Sequence, residues 1–167
     1  CQKFSMGRIV RTRQLIPGVR QRMLARPLKM LILADPCGDL KGAYAEGVQL
    51  RDYVDRRQDL INASFRSGDV SAQFLREKIR NFDMLHYAGH FDYHPNHKEL
   101  SGWKLTNGSL TAEDVMKMAG AGAMPSLIFS NACQSARTEE WSLKENFQDE
   151  IFGLANAFML SGVNHYV

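Results

Sequence analysis

Leu28-Lys-Met-Leu-Ile-Leu-Ala34 is a short, nearly continuous apolar run that stops at Asp35-Pro36. A run of this length closed by turn residues predicts a strand buried on both faces. Beyond Gly38-Asp39, apolar or small residues recur at Ala43, Gly47, Leu50 and Val54, one face of a helix, and the pattern breaks at Ser67-Gly68-Asp69. Phe74, Leu75, Ile79 and Phe82 define the inner side of a second helix, with Asp69 or Ser71 as its N-cap. Asp83-Met-Leu-His-Tyr-Ala-Gly89 predicts a second central strand whose carboxyl end delivers His90.

Trp103 to Leu110 carries Asn107-Gly108 between short apolar stretches, a strong hairpin signal. Thr111 then caps a helix reaching Met118, with Asp114 three residues on as the reciprocal capping acid. Ser126 to Cys133, introduced by Pro125, predicts the next central strand. A polar connection from Gln134 to Gln148 separates it from a helix containing Ile151, Leu154, Ala155 and Phe158, closed by Ser161-Gly162. Alternating strands and helices specify an α/β fold, a mostly parallel sheet with helices on both faces and a β-hairpin between the strands that end at His90 and Cys133. Sites in such folds form beyond the carboxyl ends of the strands.

Composition narrows the class. The 167 residues, 44% of them hydrophobic, are enough for one domain with a buried core. There is no apolar run long enough for a membrane helix and no signal-peptide pattern, so a cytoplasmic protein is expected. Three widely spaced cysteines, Cys1, Cys37 and Cys133, do not make a disulfide framework and fit a reducing compartment. Residues 1–30 hold eight basic residues and no acid. The interleaved Ile9, Val10, Leu15 and Ile16 favour a strand and connector with a solvated basic face over a partner surface. The expected division is a basic leader over 1–27 and a core over 28–167. The start at Cys1 and the strand-like finish at Val163–Val167 suggest an excised fragment.

The candidate chemistry lies at two strand ends. Adjacent parallel strands would bring His90 and Cys133 together, and an imidazole that takes the thiol proton turns a mostly protonated cysteine into a nucleophile. Asn131-Ala132-Cys133-Gln134-Ser135 resembles the caspase pattern Gln-Ala-Cys-(Arg/Gln/Gly)-Gly, which also has its histidine well upstream. HYAGH, LTNGSLTAEDV, SLIFSNACQSA and IFGLANAFMLSGV together resemble the CHAT family of caspase-like peptidases, in the clan of caspases and separases, from about Leu28 to Val167.

The resemblance implies a caspase-like cysteine endopeptidase with His90 as proton acceptor and Cys133 as nucleophile. The oxyanion would be held by the backbone N–H groups of Phe91 and Cys133. No metal or organic cofactor is implied. The protein substrate would be cut under the control of a regulatory partner or an adjoining TPR-type domain, in some relatives within defence systems beside RNA-guided effectors. Family members usually carry glycine where this chain has Phe91, and loss of one oxyanion donor typically costs about 3 to 4 kcal/mol of barrier. The rival expectation is a caspase-like interaction module with inert Cys133.

Asp35 and Asp92 are candidates for orienting His90 or binding a basic substrate side chain, although strand-end acids are more often solvated. His86, His90, His94 and His97 would stack as zinc ligands only on a helix, which Gly89 and Pro95 oppose, and HExxH is absent. Cys37 reads as structural. Trp103 and Trp141 read as anchors without the basic and aromatic alternation of a base-stacking surface, so direct nucleic-acid binding by the core is not expected. The Gln134–Gln148 connection reads as a gate ordered by a partner.

Overall fold

The computed structural model describes residues 17–94, 96–134 and 153–167, excepting the side chains of Lys98, Cys133 and Gln134. Its centre is a seven-stranded, mostly parallel sheet. β1 (Leu28–Ala34) lies between β2 (Ile61–Arg66) and β3 (Met84–Asp92), parallel to both. On its far side β3 pairs in parallel with β6 (Leu127–Gln134), which pairs with β7 (His165–Tyr166). β4 (Gly102–Leu105) and β5 (Gly108–Thr111) form an antiparallel hairpin that joins the last two residues of β3.

Helices cover both faces, as the apolar runs require. On one face α1 (Lys41–Val54) packs its Ala43, Gly47 and Val54 against β1 and β2. On the other, α2 (Ala72–Lys78), α3 (Ala112–Met118) and the helical residues 153–160, α4, enclose the main core. That core joins Leu31, Leu33, Leu85, Tyr87, Trp103 and Phe158. Helix starts follow the sequence: Ser71 accepts the Phe74 N–H at 3.2 Å, and Thr111 and Asp114 form a reciprocal capping box. Ser71, rather than Asp69, is thus the α2 cap.

The expected pattern is departed from in several places, the shorter second helix, Ala72–Lys78, among them. β2 occupies a stretch where no element was expected, with Ile61, Ala63 and Phe65 turned to α1 and the polar residues between them exposed. As an edge strand buried on one side only, it shows alternation instead of a continuous apolar run. β3 continues past Gly89 to Asp92 because β6 pairs with it as far as Phe91 and β4 takes up Phe91 and Asp92. His90 therefore stands within the last turns of the ladder, not beyond it.

The leader enters this core through Arg22. Its guanidinium donates to the Met124, Arg80 and Ala123 carbonyls and pairs with the buried Asp83 at 2.9 Å. Asp83 also accepts the Lys29 N–H. Among the described residues, no helix is long and apolar enough to cross a membrane.

The seat of α1 is tight. A Cβ on Gly47 would lie 2.3 Å from the Ala34 Cβ and 2.9 Å from the Phe65 ring, whereas one on Gly42 would meet nothing within 4 Å. Gly47→Ala is expected to lower unfolding free energy by about 1 to 3 kcal/mol through overpacking. Gly42→Ala should leave it unchanged or raise it by up to about 1 kcal/mol. Urea titrations of the two variants check the contrast.

Candidate active site

The register of β3 on β6 is the first fact of the site. His86 pairs with Phe129, and four residues further along both strands His90 pairs with Cys133. Neighbouring strands lie about 4.8 Å apart and partnered residues share a face. The His86 and Phe129 rings display this, stacked at 5.0 Å with a 5° interplanar angle. The alternation thus assigns His90 to the α1 face, at the carboxyl-end rim, with the Cys133 backbone paired directly beside it.

Asp39 approaches His90 from the β1 side, its Oδ1 3.0 Å from His90 Nε2. A carboxylate can only accept there, so Nε2 carries the proton and Nδ1 is left with a lone pair in the neutral ring. Tyr87 steadies the backbone at the same point. Its hydroxyl donates to the His90 carbonyl at 2.6 Å and lies 3.0 Å from the Lys104 carbonyl. Burial, more than any neighbouring charge, pushes the Tyr87 phenol far above its ordinary value, so it serves as a neutral donor.

The acids expected at His90 act elsewhere. Asp35 turns its carboxylate to the Asp39 and Leu40 N–H groups, both at 2.9 Å. Asp92 accepts from Ser109 at 3.1 Å and lies 3.4 Å from His94 Nε2. It lines an open acidic hollow of about 390 Å³ with Glu99, Glu113 and Asp114. Asp39 was missed because it sits in a turn, where an acid reads as a solvated residue. Only the Asp35-Pro36 strand end signalled that this turn faces the site.

The expected oxyanion donors are backbone amides, whose directions follow from the ladder. N–H groups alternate between the two edges of a strand. Ser130 donates to Val167 on the β7 side, and Ala88 accepts from Asp35 on the β1 side. Three residues further along each strand the direction is reversed, which aims the Cys133 and Phe91 amides into the β3–β6 ladder. The Phe91 side chain is buried in the core, 2% exposed.

Glu46 on α1 ties both strands together below the site. Its carboxylate lies 2.8 Å from His86 Nε2 and accepts from Asn131 Nδ2 at 2.6 Å. His94 and His97 face separate carboxylates, Asp92 and Glu99. No group of three or more potential metal ligands converges among the described residues. Cys37, half-buried, has its thiol pushed up by burial and then by Asp39, and its sulfur lies 4.0 Å from the Lys104 carbonyl. That environment suppresses a thiolate and suits a structural cysteine. The Gln134–Gln148 connection lies almost wholly outside the described residues, as does Trp141.

A mostly parallel sheet covered on both faces, with a hairpin between its histidine and cysteine strands, is the α/β fold consistent with a caspase-like domain. The profile of the CHAT domain matches residues 3–167, the basic leader included, and the chain belongs to that family, which is related to caspase-like cysteine peptidases. No curated protein and no solved structure matched.

Burial lowers the affinity of His86 for a proton, against the smaller opposing pull of Glu46. The unfolded chain therefore binds a proton at His86 more readily than the folded one. This contribution to stability is whole above about pH 6.5 and is lost as pH falls below it. Urea midpoints measured from pH 7.5 to 5 should drop more steeply for the wild type than for His86→Gln. Parallel curves would show that His86 carries none of the acid sensitivity.

Proposed function

We propose that this protein is a cysteine endopeptidase in which His90 and Cys133 form the catalytic dyad. The observation that carries the reading is the direct register of these two residues on adjacent parallel strands. The Cys133 thiol gives its proton to His90, and the thiolate attacks the scissile carbonyl. The imidazolium returns the proton to the leaving amine, and water hydrolyses the acyl-enzyme. Membership of the CHAT family supports this chemistry. By the same likeness, control falls to a regulatory partner protein or an adjoining TPR-type domain, with an RNA-guided effector complex as one such partner and defence as the setting.

A second reading is favoured by the amide directions of Phe91 and Cys133, which point into the ladder. In it, the caspase-like fold serves as a protein-interaction module and Cys133 is inert. Iodoacetamide labelling at pH 7, followed by peptide mass spectrometry, separates the two. The dyad predicts that Cys133 is labelled at least about tenfold faster than Cys37 and that His90→Ala removes the advantage. Equal rates, unchanged by His90→Ala, would favour the inert module. The parent protein, incubated with candidate partners and compared with Cys133→Ala, should yield new substrate fragments only with the wild type.

A further inference from the structure

The turn after β1 is fixed more firmly than a solvated loop requires. Asp35 adopts a left-handed backbone, φ 49°, and is 6% exposed. A non-glycine residue is held there only where its surroundings compensate for the strain. Here they do: the Asp35 N–H donates to the Ala88 carbonyl at 2.8 Å, and its own carbonyl accepts from Gly38 and Gly68. Its carboxylate accepts from Asp39 and Leu40. The turn is thereby tied to β3 two residues before His90, and the next acid along it, Asp39, meets the His90 ring at 3.0 Å.

We propose that Asp39 is the positioning residue of the dyad, accepting the Nε2–H of His90 so that the ring is fixed in rotation and tautomer with Nδ1 as the nitrogen that serves Cys133. The inference rests on the peptidase reading above and adds to it a third group and a direction for the proton. When the S–H bond of Cys133 breaks, the proton forms a bond with Nδ1, and the electron pair remains on sulfur. Nε2 keeps its own proton, shared with Asp39, and the carboxylate stays ionised throughout. Asp35 acts one step further back, by shaping the turn.

The Asp39 side chain is 55% exposed, so its effect is moderate rather than decisive. In the full chain, Asp39→Ala is expected to slow iodoacetamide labelling of Cys133 about fivefold, with Asp39→Glu recovering part of the loss and the melting midpoint unchanged. Nitrogen-15 NMR of the histidine rings reads the tautomer directly. The neutral His90 ring should be almost wholly the Nε2–H form in the wild type and a mixture in Asp39→Ala. If Asp39→Ala alters neither the rate nor the tautomer while His90→Ala still slows labelling, Asp39 has no positioning role and the dyad stands. If His90→Ala leaves the rate unchanged as well, the dyad itself fails and this inference with it.

Discussion

The pairing of β3 with β6 is the constraint on which the rest depends. It runs unbroken from Met84 against Leu127 to Phe91 against Gln134. Pairing is specific to the residue, so a slip of one position would take Cys133 out of register with His90. Several contacts oppose that slip. At the base, the Asp83 carbonyl accepts from Ser126, while the Asp83 N–H donates to Lys29 of β1. Halfway up, His86 stacks on Phe129, and Glu46 bridges His86 to Asn131 across the two strands. On the other face, the Trp103 indole donates to Ser130 at 3.0 Å.

Trp103 also explains why a hairpin inserted between the two strands helps the site. It stacks on Tyr87 at 4.4 Å and packs against Phe158 at 5.1 Å, linking β4 to β3 and to α4. Aromatic contacts of this kind contribute about 0.5 to 1.5 kcal/mol each beyond their area. They hold Tyr87 where its hydroxyl reaches the His90 carbonyl. Gly89 makes the reach possible, since a Cβ there would lie 2.7 Å from the Tyr87 hydroxyl and 3.0 Å from Pro36. The glycine of the HYAGH segment is thus needed for the approach of a neighbouring side chain to the strand.

Much of the frame was legible because its signals are local. Continuous apolar runs gave β1, β3 and β6, and Thr111 with Asp114 marked a helix start through spacing alone. Asn107-Gly108 marked the hairpin, although the two loop residues are Thr106 and Asn107 and Gly108, at φ 111°, opens β5. What was not legible depends on pairing at a distance. β2 went unnoticed because a short half-buried edge strand has only weak alternation. The end of β3 was misplaced because its last residues are strand only through β4 and β6. Asp39 and Glu46 read as surface acids, since nothing local tells an acid which distant histidine it will meet.

Those two acids follow from the way α1 crosses the sheet. A β1–α1–β2 crossover between parallel strands returns the helix antiparallel to them, and the packing agrees: Ala43, early in α1, lies against Ala34 at the end of β1, and Val54, late in α1, against Met30 near its start. His86 and His90 are four strand residues apart, about 13 Å. The span from Asp39 through the turn and into α1 at Glu46 covers a comparable distance in the opposite direction, with about 1.5 Å per helical residue. Each histidine therefore meets its own carboxylate, His90 at the rim and His86 below it. Their surroundings then separate them. His86 lies beneath Phe129 and is held as a strut between helix and sheet. His90, at the rim opposite Cys133, keeps Nδ1 free of Asp39, and that difference in position gives two otherwise similar pairs different work.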